Sequence, residues 1–148
     1  MEVNISKILE KCDGLDYVVL RNAEGFDNYP IGGDVDILTR DVDVMVGTIM
    51  GALNDYIFNG YVVDKKIPDS HTHIDLLKDD VLIVRFDIIN TLVLDATSLI
   101  GYLLANRKKK NNVMFTDEIG DMFTRLLEYF NDPTKVKHLD FIKNKYKI

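Results

Sequence analysis

Apolar residues change their spacing several times along the chain, and each change marks an expected element. Ile5, Ile8, Leu9 and Cys12 recur at three and four, which predicts a short helix stopped at Gly14. YVVLRN (17–22) is a β-branched and aromatic run and predicts a strand, whereas AEGFDNYPIGG (23–33) is dense in Gly, Asp, Asn and Pro and predicts a loop. DVDILTR (34–40) alternates acidic with apolar residues at period two, so it predicts a second strand. Over 41–59, Val42, Met45, Val46, Ile49, Met50, Leu53 and Ile57 fall on one helical stripe, predicting an amphipathic helix that ends at Gly60.

YVVDKKI (61–67) predicts another strand, and THIDLLKDDVLIVRFDII (72–89) reads as two strands around a Lys78-Asp79-Asp80 turn. The rest is predicted helical: ATSLIGYLLANR (96–107), a basic polar loop KKKNN (108–112), then TDEIGDMFTRLLEYF (116–130) and PTKVKHLDFIKNKY (133–146). Thr116 is the expected N-cap of the first of these last two helices, ahead of acidic Asp117 and Glu118, and Pro133 is expected to open the second. The pattern gives an α/β (α+β) fold: a small mixed or antiparallel sheet with helices packed on it. Residues 1–97 form its α/β core, and 98–148 form a C-terminal helical region packed on that core within a single domain.

Charge narrows the classes of partner. With a net charge of −6 the chain has no bulk attraction for a phosphate backbone, so no long nucleic acid is expected. Cys12 is the one cysteine, which excludes an internal disulfide and agrees with a reducing, cytoplasmic compartment. No apolar run reaches membrane-spanning length, and MEVNISKILEKC lacks the basic start and unbroken apolar stretch of a signal peptide. A protein of the cytoplasm with no membrane partner is therefore expected.

The chemistry concentrates in the alternating strand. Side chains two apart on a strand share a face about 6–7 Å apart, so Asp34 and Asp36 project together while Val35 and Ile37 point away. Two carboxylates that close repel unless a cation lies between them, and hard divalent ions accept carboxylate and phosphate oxygens together. A solvated strand face explains the pair equally well when it is taken alone. Asp87 adds weight, because it interrupts the apolar run VLIVRFDII, where an unpaired carboxylate is costly to bury. His71, His73 and Asp75 alternate in SHTHIDLL and share a face that can offer imidazoles to a transition metal. A two-residue turn at Asp79-Asp80 puts Thr72 and Ile74 beside Arg85 and Asp87, whereas a three-residue turn puts His71, His73 and Asp75 there. Asp75 is accordingly the reserve third carboxylate.

Taken together, YVVLRN, a loop of about a dozen residues, IGGDVDIL, an amphipathic helix and a later strand ending RFDII resemble the nucleotidyltransferase superfamily, the polymerase-beta-like fold. The nearest branch is the LRN…DIDIL type associated with bacterial surface-polysaccharide biosynthesis. The likeness covers residues 1–95, with a weaker echo at RLLEYFNDPTKVKHLDFI. It implies that Asp34, Asp36 and Asp87 are catalytic and bind Mg2+ or Mn2+, and that a nucleotide passes from a nucleoside triphosphate to a hydroxyl or phosphate acceptor. The chain departs from the family where a Gly-Ser turn normally approaches the triphosphate. Leu20-Arg21-Asn22 stands there instead, so Arg21 and Asn22 become the expected nucleotide-binding residues, together with Gly33 beside the acids.

Three functions follow from this reading. The first is a metal-dependent nucleotidyltransferase; the second is a catalytically silent module of the same fold that binds a protein partner or a second copy through its C-terminal helices. The third is a glycosyltransferase, which also uses Asp-x-Asp, but 148 residues are short for its two halves. Arg107 to Lys110 form a basic stretch best explained as a solvated loop. Lys135, Lys137 and His138 sit on the last helix, whose Val136, Leu139 and Ile142 are expected to face the core, so the two lysines are expected to point to water or, in a two-part site, to reach a nucleotide. Tyr17, Tyr29 and Tyr61 can stack on a base or simply pack at strand ends.

Overall fold

The computed structural model describes residues 2–68 and 71–147. The chain opens with α1 (Ile5–Leu9), capped by the Asn4 side chain accepting from Lys7 N–H, and runs through a 3-10 turn at Glu10–Cys12 into β1 (Tyr17–Leu20). After the 21–32 loop come β2 (Gly33–Thr39), α2 (Val42–Ala52) and α3 (Asn54–Phe58). Three strands follow: β3 (Val62–Lys66), β4 (Thr72–Lys78) and β5 (Val81–Ile89). The C-terminal part is α4 (Thr97–Ala105), β6 (Lys108–Lys110), β7 (Val113–Phe115), α5 (Glu118–Asn131) and α6 (Val136–Tyr146). None of the described helices is long and apolar enough to cross a membrane.

The strands form one mixed seven-stranded sheet in the order β3-β4-β5-β2-β1-β7-β6. β2 runs parallel to β5 and antiparallel to β1. One face carries Tyr17, Val19, Val35, Ile37, Ile74, Phe86 and Ile88, buried beneath α1, α2 and α3. The opposite face begins as a second core, where Val18, Leu20, Leu38 and Ile89 pack on Leu103 and Leu104 of α4. Because strand side chains alternate, the row that continues Leu38 along β2 is Asp36 and Asp34, and the row that continues Ile89 along β5 is Asp87 and Arg85. An apolar floor thus gives way to a charged one on a single face.

Four local expectations are corrected. The 41–59 helix is broken at Leu53, where α2 ends and α3 begins. The 108–112 segment is no loop: Lys108–Lys110 pairs with Val113–Phe115 around Asn111-Asn112, both at positive φ, in a two-residue hairpin that extends the sheet. The N-cap of α5 is Asp117, whose Oδ1 accepts from Gly120 N–H at 2.7 Å, rather than Thr116. Pro133 lies ahead of α6, which starts at Val136, and it is His138 with Ile142 that is buried there while Val136 is exposed.

Candidate functional site

The position of the acids follows from strand register. Asp36 on β2 stands directly opposite Asp87 on β5, and Asp34 stands opposite Arg85. On the far side of β5, His73 pairs with Asp87 and Asp75 with Arg85. This last alignment depends on a bulge. Asp79 and Asp80 make a two-residue turn, both at positive φ, which by itself would leave Thr72 and Ile74 beside Arg85 and Asp87. Between Leu77↔Leu82 and Leu76↔Val84 the ladder shifts by one, leaving Ile83 extra. The bulge turns the remainder of β4 over, so His73 and Asp75 join the acids while Thr72 and Ile74 go into the core. On the β2 side of β5 the Ile83 carbonyl accepts from Gly32 N–H at 2.8 Å, just ahead of β2.

Asp75 and Asp87 then differ sharply in environment. Asp75 is buried and receives Nε and Nη2 of Arg85 at 2.7 and 2.8 Å, a two-pronged pair that holds its carboxyl below the usual range. Asp87 has no such partner: its Oδ1 is buried and accepts no hydrogen bond among the described residues. Burial, and then the neighbouring Asp36 charge, push its carboxyl up, while His73 and His71 oppose the rise. His73 Nε2 lies 3.2 Å and His71 Nδ1 3.4 Å from that oxygen.

Arg21 stands at the end of β1 in the left-handed region, φ 59°, a conformation that a side chain with a Cβ adopts at a cost of about 1–2 kcal/mol. Its Nη2 meets Asp36 Oδ2 at 2.5 Å, its Nη1 lies 3.7 Å from Glu128 Oε1, and its carbonyl accepts from Arg125 Nη2 at 2.8 Å. Asn22 is turned back on the backbone, donating to the Leu20 carbonyl at 3.2 Å. Gly33 is the seat of a tyrosine. A Cβ there would lie 2.5 Å from Tyr29 Cε1, and the Tyr29 hydroxyl donates to the Asp34 carbonyl. Burial, with Asp36 and Asp34 nearby, pushes that hydroxyl up to about 12. Tyr17 is fully buried and Tyr61 lies outside this cleft.

The face opens into a cleft of about 730 Å³ between the sheet and the two C-terminal helices, with Asp34, Asp36 and Asp87 on one wall and Arg21, Lys135 and Lys137 among the cations lining it. The contribution of α5 escapes a reading by apolar period alone. Asp121, Arg125 and Glu128 recur at four and three, a polar stripe on a face that is mostly buried, and this spacing is the signal that marks them. Arg125 joins the parts: its Nε is 3.0 Å from Asp121 Oδ2 and its guanidinium carbon lies 3.6 Å from the Phe141 ring centre on α6. His138, buried beside Arg21, Lys137 and Arg125, is pushed down to about 4, by burial first and then by those charges.

Chemically, the arrangement sets a carboxylate cluster and two imidazoles against cations in one solvent-open cleft. The chain matches no protein-family model, no curated protein and no solved structure, so what the cleft does must be argued from its own side chains.

Proposed function

We propose that the chain is a metal-dependent nucleotidyltransferase of the polymerase-beta-like kind, moving a nucleotide from a nucleoside triphosphate to a hydroxyl or phosphate acceptor. The observation that carries this reading is the pairing of Asp36 with Asp87 across adjacent parallel strands, with Asp34 one step along the same face. Three carboxylates so placed suit a hard divalent ion. Mg2+ or Mn2+ held by Asp34, Asp36 and Asp87 would draw off the negative charge of the triphosphate.

The chain's own groups supply the rest. Arg21, Lys135 and Lys137 line the cleft and are within it to receive phosphate oxygens. One of the acids takes the proton from the acceptor hydroxyl as the acceptor–phosphorus bond forms and the bond to pyrophosphate breaks. The test is thermal melting with each nucleoside triphosphate, with and without manganese, beside an Asp34→Asn/Asp36→Asn variant. Ligand at a hundred times its dissociation constant stabilises by about 2.7 kcal/mol. A manganese-dependent shift lost in the variant, with pyrophosphate released on adding an acceptor, is the expected result.

A second reading has its own support. Arg21 already neutralises Asp36 and occupies the place of the family's Gly-Ser turn, which favours a catalytically silent module. Such a module would meet a protein partner or a second copy through Phe123, Phe130 and Val136, exposed on α5 and α6. A cooperative melt unmoved by every nucleotide selects this reading over the first.

A further inference from the structure

We infer that His71, His73 and Asp87 form a site for one borderline first-row transition-metal ion of the zinc, cobalt and nickel class, a site that stands whether or not the chain transfers nucleotides. Their ligand atoms, one from each residue, all lie within 4.8 Å of one another. Bonds of about 2.0–2.2 Å at tetrahedral or octahedral angles require neighbouring ligand atoms about 3–3.5 Å apart. The separations from Asp87 Oδ1, 3.2 Å to His73 Nε2 and 3.4 Å to His71 Nδ1, fall within that interval.

Both imidazoles converge on one oxygen. His73 Nε2 and His71 Nδ1 stand 3.2 and 3.4 Å from Asp87 Oδ1, and that buried oxygen has no well-directed hydrogen bond among the described residues. The two rings stand edge to face, 86° apart with centres 6.2 Å apart, so their nitrogens approach the oxygen from two directions. Neighbouring acids are otherwise engaged: Asp75 with Arg85, Asp36 with Arg21. The Ile83 bulge brings His73 to Asp87, against the register its turn would set.

Two imidazoles and a carboxylate select the class of ion. Magnesium takes oxygen ligands and keeps its waters, whereas zinc, cobalt and nickel accept imidazole nitrogen readily. The His71 side chain is 43% exposed, so the remaining coordination positions open to the cleft, as in catalytic rather than closed structural sites. An ion there would leave room for a substrate oxygen.

The experiment is a cobalt titration of the metal-stripped, tag-free full chain, followed by visible absorption and repeated with His71→Ala, His73→Ala and the remote control Asp43→Asn. One equivalent of cobalt is expected to give d–d bands that zinc abolishes and equimolar magnesium does not. Affinity should fall at least about tenfold in each histidine variant and stay within about twofold in Asp43→Asn, which alters an exposed acid on α2 across the sheet. Absence of the bands, equal affinity in a His71→Ala/His73→Ala protein that still melts cooperatively, or displacement by equimolar magnesium would overturn the site. Cobalt bands that persist in a protein showing no nucleotide-dependent stabilisation would remove the transferase reading alone, leaving the metal site intact.

Discussion

Arg21 Nη2 lies 2.5 Å from Asp36 Oδ2, so one carboxylate of the cluster already holds a fixed cation. A divalent ion binding at Asp36 must displace or share that guanidinium. Replacing the arginine by glutamine removes the competition. Arg21→Gln is expected to raise manganese affinity about tenfold, about 1.4 kcal/mol, and under the proposed transferase function to weaken triphosphate binding by removing a charged donor. Manganese titration followed by electron paramagnetic resonance reads the first effect; an affinity that is unchanged or lower would show that Arg21 does not oppose the ion.

The seat of Tyr29 gives a test of local packing. In Gly33→Ala the added methyl group meets the ring at 2.5 Å from Cε1 and lies 3.1 Å from the Pro30 carbonyl. The ring cannot simply swing away, since its hydroxyl is tied to the Asp34 carbonyl and its edge meets Phe26. A loss of about 1–3 kcal/mol is expected in urea unfolding. Tyr29→Ala made in the Gly33→Ala background should return part of it. Purely additive losses would mean that the two positions do not interact.

Arg125 binds three parts of the structure at once: the Arg21 carbonyl, Asp121 and the Phe141 ring. Arg125→Met leaves Asp121 as an uncompensated buried charge, at a cost of about 3–5 kcal/mol. Adding Asp121→Leu should recover much of that loss, because the orphaned charge goes with it. A single variant as stable as the parent would contradict this account of the α5–α6 junction.

His138 makes stability depend on pH in a defined direction. Its folded value is pushed down to about 4, below the ordinary 6.5 that the unfolded chain would show, so between those limits the unfolded state binds more protons. Stability contributed by the neutral, buried imidazole is therefore complete above about pH 6.5 and is lost progressively as pH falls toward 4. The charges facing it are Arg21, Lys137 and Arg125, which repel the proton, and Glu128, which attracts it. The full step is worth up to about 3 kcal/mol, since His138 is only 8% exposed. Urea midpoints from pH 7.5 to 5 should fall more steeply for the parent than for His138→Gln; parallel curves would remove His138 as the source.

Period and turn chemistry were enough to read β1, β2, β4 and β5, the mixed α/β class and the shared face of Asp34 and Asp36. Those features are local, since a strand's alternation is fixed by its own backbone. The single Asp in VLIVRFDII was legible for a related reason: an isolated charge in an apolar run demands a partner wherever the strand lies. The 108–112 segment was misread because three lysines mask an edge strand whose partner is only three residues long, and pairing, not propensity, decides such strands. The choice between His73 and Thr72 as neighbour of Asp87 lay beyond the sequence altogether. Its turn has two residues, yet the bulged Ile83 reverses the register that such a turn sets. Likewise Arg125 and Glu128 meet Arg21 only because α5 folds back over the sheet, a contact across about a hundred residues of chain. Residue types along the chain thus determined which face would carry the chemistry, while long-range pairing and helix packing decided which side chains share the cleft.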